Sequence, residues 1–154
     1  MPLSRRMWAS SKVAFVRPIA LNETIERVSG VLSITEKQPG WDAHRAISPG
    51  EPLLFRFSAL TFNSHRMHYD LAYSARVEGY RELVVHGPLI ATLLLRLAAQ
   101  QLGDNCLKMF DFCGVSPAIC GEMLQLVMHS NSGVVELSAY ASDGREVMHG
   151  GGSI

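Results

Sequence analysis

The chain has 154 residues, one domain's worth, and can bury a core without disulfides or a structural metal. Fourteen basic and fourteen acidic residues cancel, with no long run of one sign, which argues against a nucleic-acid or membrane-surface binder and for a small neutral or locally anionic ligand. Three cysteines, Cys106, Cys113 and Cys120, lie seven apart without a Cys-x-x-Cys, so they read as free thiols of a reducing compartment rather than a disulfide framework or zinc site.

Residues 1–22 carry Arg5, Arg6, Lys12, Arg17 and several serines but no acid, the composition of a mitochondrial presequence, although the stretch patterns as strand rather than amphipathic helix. No signal-peptide core is expected, and the longest apolar run, Leu89 to Ala99, is too short to span a bilayer. Lys12–Val16 and Thr24–Lys37 read as a hairpin joined at Leu21-Asn22-Glu23. Gln38–Pro52, with Pro39-Gly40, Pro49-Gly50 and Pro52 around Trp41, reads as a linker. Leu53–Thr61 is β-prone, and Phe62–Tyr80 is polar and irregular, with a turn at Glu78-Gly79-Tyr80. The spacing predicts a helix over Pro88–Leu102, about 22 Å long, with Pro88 in its first turn and Gly103 at its C-terminal cap. Its polar stripe, Thr92, Arg96 and Gln100, is so narrow that the helix must be largely buried. Strands follow at Lys108–Val115, Glu122–His129, Val134–Ala141 and Glu146–Ile154, separated by Ser116-Pro117, Asn131-Ser132-Gly133 and Asp143-Gly144. Gly150-Gly151-Gly152 suggests a frayed end. The natural assembly is α+β, a helix wrapped by an antiparallel sheet.

Two clusters carry chemistry. Asn63, His65, Arg66, His68, Tyr69 and Asp70 crowd an amide, two imidazoles, a guanidinium, a phenol and a carboxylate into eight positions. His65 and His68, three apart, share a face on a helical turn, and Asp70 is placed to orient one imidazole. The pair fits acid–base chemistry, a partial metal site or satisfied surface histidines, and no obvious third and fourth metal ligand exists. Val85-His86-Gly87-Pro88-Leu89 starts the helix, and the Gly87 N–H, with Leu89 assisting, is placed to stabilise an oxyanion. An ordinary Gly-Pro helix start is the duller alternative. Arg56, Arg66, Arg76, Arg81 and Lys108 are candidates for phosphate or carboxylate binding, with solvated surface charge as the default.

The run Phe55-Arg56-Phe57-Ser58-Ala59-Leu60-Thr61-Phe62-Asn63-Ser64-His65-Arg66-Met67-His68-Tyr69-Asp70, followed by Val85-His86-Gly87-Pro88-Leu89, resembles the MaoC-like, hot-dog-fold acyl-thioester hydratases and dehydratases. The resemblance is strongest to the branch of hydroxyacyl-thioester dehydratase type 2 and of itaconyl-CoA and mesaconyl-CoA hydratases. It covers residues 53 to about 150, and Arg5–Lys37 resembles those proteins' N-terminal half. It implies a hot-dog fold, with the site on an overhanging segment beside the helix N-terminus. The wider family's Asp-x-Asn-Pro-x-His, matched at His68, puts its Asp at Asn63 and its Asn at His65, so the usual carboxylate base is missing.

The resemblance further implies His68 as the main acid–base group, His65 as the second proton carrier and Asn63 positioning water or hydroxyl. Gly87 would hold the oxyanion, with His86, Arg66, Tyr69 and Asp70 in support. The expected activity is reversible hydration of an enoyl-CoA-type thioester, mesaconyl-CoA and itaconyl-CoA included, without metal or cofactor. The alternatives are a non-catalytic thioester-binding half-domain completed by a partner, and a thioesterase. The expected partners are an acyl-CoA or acyl carrier protein thioester and a second copy of the chain, not nucleic acid or membrane, in the cytoplasm or a eukaryote's mitochondrial matrix. As one hot-dog domain over 1–154, the chain would comprise a shortened N-terminal hairpin (1–37), a linker (38–52) and a complete half (53–154). The missing N-terminal strands leave a sheet edge that a homodimer would cover.

Overall fold

The computed structural model describes residues 10–14 and 40–154. Strands β1 (Ser10–Ala14), β2 (Ala43–Ile47), β3 (Met109–Gly114), β4 (Leu124–Asn131), β5 (Val134–Ala141) and β6 (Glu146–Ser153) form one antiparallel sheet in the order β1-β3-β6-β5-β4-β2. Of the expected N-terminal hairpin, Ser10–Ala14 is a strand, paired with β3. The rest of it, including Thr24–Lys37, lies outside the described residues.

Helix α1 spans Glu51–Thr61, where the sequence reading expected a strand. The reason is local. Extended Gly50 precedes Glu51 and Pro52 in the first turn, and no β-branched residue occurs before Thr61. Leu53, Leu54, Phe57 and Ser58 turn inward at helical spacing, while Phe55 and Leu60 face out. Phe62 ends the helix at φ 53°, and the Asn63 N–H closes onto the Ser58 carbonyl at 2.9 Å. The expected linker is also corrected, because Ala43–Ile47 pairs along β4 and belongs to the sheet.

Helix α3 (Gly87–Leu102) follows the predicted span, with Gly103 at its C-terminal cap. Thr92, Arg96 and Gln100 are exposed, while Leu89, Ile90, Ala91, Leu94, Leu97 and Ala98 are buried. They join Phe110, Leu126, Val135, Leu137 and Met148 of the sheet in one core cluster. Complete burial of a leucine such as Leu94 contributes roughly 1.5–3 kcal/mol.

The glycine run is not frayed. Gly150, Gly151 and Gly152 lie inside β6, paired to β3 on one side and β5 on the other. A Cβ on Gly150 would stand 2.5 Å from the Asp111 carbonyl oxygen and 2.9 Å from the Phe110 ring, and one on Gly152 would stand 2.9 Å from the Met109 oxygen. Glycine there lets β3 cross close and lay Phe110 over the strand.

Between α1 and α3 the chain forms an overhang. It contains a 3₁₀ turn (Arg66–His68), the helical turn α2 (Leu71–Tyr73) and a π-helix (Ser74–Glu78) stopped by Gly79 at φ 73°. Its inner edge is tied to the body at Val84, whose N–H donates to the Met67 carbonyl at 3.1 Å. Bonds from Val85 N–H to Ala118 and from Cys120 N–H to Leu83, each 2.9 Å, hold that segment to the loop after β3. Among the described residues no helix is long and apolar enough to cross a membrane. All three cysteines are free thiols, with Cys120 buried and the other two half-buried.

Candidate active site

At the start of α3 a cavity of about 380 Å³ opens under the overhang. Asn63, His65, His68 and Gly87 line its polar end, while Ile90, Ala118, Val147 and Met148 contribute to its apolar wall. The structure thus brings together four residues that the sequence spreads over two clusters.

His68 is buried on the 3₁₀ turn. Its Nδ1 lies 2.7 Å from the Val84 carbonyl oxygen. A carbonyl can only accept, so Nδ1 carries the proton and Nε2 presents a lone pair. Burial pushes the imidazole below its ordinary pKa, and the neighbouring His65 adds to the shift, both favouring the neutral form. A neutral imidazole with one free nitrogen is able to accept a proton.

His86 lies beneath it. The two rings stack with centroids 3.8 Å apart and planes 21° from parallel, and Phe57 meets His86 edge-on at 4.9 Å. Ser58 Oγ is 2.8 Å from His86 Nε2, while His86 Nδ1 has no hydrogen-bond partner among the described residues. An unpaired N–H would cost more than an unpaired lone pair, so the favoured tautomer carries its proton on Nε2 and donates it to Ser58. Burial, with His68 beside it, lowers the His86 pKa to about 3. Sequence reasoning placed His86 on the substrate side, but the structure buries it completely, outside the cavity lining. It acts as the floor on which His68 rests.

His65 stands edge-on to His68, with centroids 5.6 Å apart. Its backbone N–H donates to Asn63 Oδ1 at 3.0 Å, which occupies that oxygen and leaves the Asn63 amide NH₂ as donor. His65 Nε2 donates to Glu78 Oε1 at 3.4 Å. The expected orienting carboxylate was Asp70, and this is corrected. Asp70 Oδ1 accepts from the Tyr73 N–H at 3.0 Å and caps α2, while Oδ2 accepts from Arg66 Nη2 at 2.6 Å and Nε at 3.1 Å. These bonds hold the Asp70 carboxyl below its ordinary pKa.

Arg66 also lies over the Tyr73 ring, 4.6 Å from its centroid, and Tyr69 donates its hydroxyl proton to the Ser64 carbonyl at 2.9 Å. Arg66, Tyr69 and Asp70 therefore brace the overhang and do not line the cavity. Arg81 pairs with Glu122, Lys108 donates to the Ile154 carbonyl, and Arg56 and Arg76 are exposed.

Gly87 is the first residue of α3 and lines the cavity. Its N–H has no acceptor within the helix, Pro88 has no N–H, and the helix dipole is positive there. Among the described residues no group of three or more His, Cys, Asp or Glu is placed to hold a metal ion. Sequence reasoning missed Ser58 and Glu78. Ser58 is part of the quoted run, but its meeting with His86, twenty-eight residues on, depends on α1 being a helix.

The model of the hydroxyacyl-thioester dehydratase type 2 family matches residues 33–120. The chain belongs to that family. Two relatives agree with the assignment. Mesaconyl-C(4)-CoA hydratase of Chloroflexus aurantiacus is 30% identical over 192 residues, 94% of this chain and 68% of that protein. The mitochondrial hydroxyacyl-thioester dehydratase type 2 of Schizosaccharomyces pombe is 33% identical over 99 residues, 62% of this chain and 32% of that one. The chain therefore spans about two thirds of the first and one third of the second.

Solved structures establish the hot-dog fold for this member of the dehydratase type 2 family. The R-hydratase PhaJ1 of Pseudomonas aeruginosa superposes with a TM-score of 0.62 at 21% identity, covering 71% of this chain and 76% of that one. A MaoC-like dehydratase of Phytophthora capsici gives 0.67 at 20% identity, covering 83% and 44%.

Proposed function

We propose that this chain catalyses reversible hydration and dehydration of an α,β-unsaturated acyl thioester, with coenzyme A or an acyl carrier protein as carrier. The observation that carries the reading is His68, buried, its Nδ1 spent on Val84 and its Nε2 free, in one cavity with the Gly87 N–H at the start of α3. Relatives named as a CoA-ester hydratase and a thioester dehydratase support the same reaction class.

In the dehydration direction the thioester carbonyl oxygen accepts from Gly87 N–H, which acidifies the α-carbon. His68 Nε2 takes the α-proton, and the electron pair left behind moves into the enolate, its charge facing the helix terminus. As the Cα–Cβ double bond forms, the β-hydroxyl takes a proton from the imidazolium form of His65, which is left neutral, and leaves as water. Solvent exchange returns the proton from His68 to His65, and hydration is the reverse. The amide NH₂ of Asn63 holds the hydroxyl or water oxygen. Mesaconyl-CoA and itaconyl-CoA stand among the candidate substrates.

The length of the match to the Chloroflexus protein motivates a second reading. An alignment of 192 positions that takes in 94% of the 154 residues leaves about 47 positions of the Chloroflexus protein without a counterpart here. A half-domain that binds thioester, and turns it over only beside a second copy or another chain, fits that gap. In the first reading the working unit is a homodimer, in the second a pair with a copy or another chain, and in both an exposed strand edge is covered. The cytoplasm, or the mitochondrial matrix in a eukaryote, is the proposed compartment.

The test is loss of enoyl absorbance with crotonyl-CoA, a longer enoyl-CoA and mesaconyl-CoA. His68→Ala is expected to lower turnover by about 100-fold or more. Equal rates for the two proteins would exclude His68 as the acid–base group. Binding without turnover would move the assignment to the half-domain, and release of free thiol would indicate a thioesterase.

A further inference from the structure

We propose that Glu78 is the positioning residue for the second proton carrier, fixing His65 with its proton on Nε2 so that Nδ1 is the atom that exchanges a proton with substrate. The proposal rests on the hydratase reading for its kinetic consequence, but its structural content stands apart from it.

Three observations carry it. First, the carboxylate is where an acid–base site needs one. Among the described residues the cavity lining contains no Asp or Glu, and both oxygens of Asp70 are engaged by Tyr73 and Arg66. Glu78 Oε1 faces His65 Nε2 at 3.4 Å.

Second, its side chain is only 13% exposed, and the one side-chain donor facing it among the described residues is His65 Nε2. A shielded carboxylate needs a hydrogen-bond donor, so the contact is favoured from both sides.

Third, the backbone is built to deliver it. Glu78 is the last residue of a π-helix, a form that recurs at functional sites. That turn is anchored at Ser74, which is fully buried. The Ser74 carbonyl accepts from the N–H of Gly79 and, at 3.0 Å, from that of Tyr80, while its Oγ donates to the Glu82 carbonyl at 2.8 Å. The wide turn and left-handed Gly79 close the segment back toward His65 and the 3₁₀ turn that follows it.

With Nε2–H held by Glu78, His65 can accept or return a proton only at Nδ1, which fixes both ring orientation and tautomer. The arrangement parallels His68, where Val84 fixes the opposite nitrogen.

Long-range ¹H–¹⁵N spectra of the imidazoles, in mildly alkaline buffer without substrate, read the tautomer directly. Wild-type protein is expected to show His65 with its proton on Nε2, and Glu78→Met a mixture of both forms. Kinetics with the best enoyl-CoA add the functional half. Glu78→Met should lower kcat about 10-fold with little change in KM, Glu78→Gln, which keeps an acceptor, should recover part of it, and Glu78→Met should have no further effect in a His65→Ala background.

His65 carrying its proton on Nδ1 in the wild type would overturn the proposal. So would Glu78→Met lowering His65→Ala by the same factor as wild type, the mark of a merely structural role. Absence of turnover of every enoyl-CoA by the wild type would instead remove the hydratase reading, and the spectra would still decide Glu78.

Discussion

Ser58→Ala isolates one buried hydrogen bond under the site. Among the described residues the Ser58 hydroxyl is the only hydrogen-bond partner of a His86 ring whose Nδ1 is unpaired, and in Ser58→Ala rotating that ring gains nothing, because either nitrogen turned toward position 58 would find a methyl group. The variant leaves a buried imidazole N–H without an acceptor, which costs about 1–3 kcal/mol. Taking about 2 kcal/mol, the folding constant falls roughly 30-fold and the melting temperature about 4–8 °C. The double variant Ser58→Ala/His86→Phe removes both polar partners. It also keeps an aromatic ring between Phe57 and His68, so it should return to within about 1 kcal/mol of wild type. His86→Phe alone should cost less than Ser58→Ala, since a freed serine hydroxyl can turn to a helix carbonyl one turn back. Urea titrations at one protein concentration and a common slope give all four stabilities. A Ser58→Ala protein as stable as wild type, or a double variant less stable than Ser58→Ala, would refute the reasoning.

The same histidine sets a pH dependence. Its pKa falls from 6.5 to about 3 on folding, so between those values the unfolded chain binds more protons and stability drops as pH drops. From pH 7 to pH 5 the loss should be about 2 kcal/mol, with His68 contributing in the same direction, and His86→Phe should flatten the profile. Urea midpoints that coincide at pH 5 and pH 7 would contradict this. Gly150→Ala would place its Cβ against the Asp111 carbonyl, a backbone atom held by β3 pairing on both sides, so a loss of about 1–3 kcal/mol is expected in the same titration. An unchanged midpoint would mean that β3 and β6 separate freely.

How much the sequence disclosed depended on local punctuation. Helix α3 is bracketed by Pro88 and Gly103, and the β4–β5 turn by Asn131 and Gly133, the latter at φ 83°, so these elements were readable without tertiary knowledge. Helix α1 was misread because Phe55 and Phe57 alternate like a strand, whereas Gly50, Glu51 and Pro52 were starting a helix. The glycine run looked slack because what it accommodates, Phe110 and the Asp111 carbonyl, lies some forty residues earlier. At the site, residues close in sequence were visible as a cluster. Asp70 seemed the natural carboxylate because it is two residues from His68, and the chain instead spends it on a cap and an arginine. Glu78 meets His65 only through the π-helical turn, which no periodicity announces.

Val84 couples two parts of the site. One residue holds the overhang by its N–H to Met67 and the His68 ring by its carbonyl, three positions before Gly87. The proposed base and the proposed oxyanion donor are thus joined through three residues of backbone, so a change that shifts Val84 displaces the overhang and the His68 ring together.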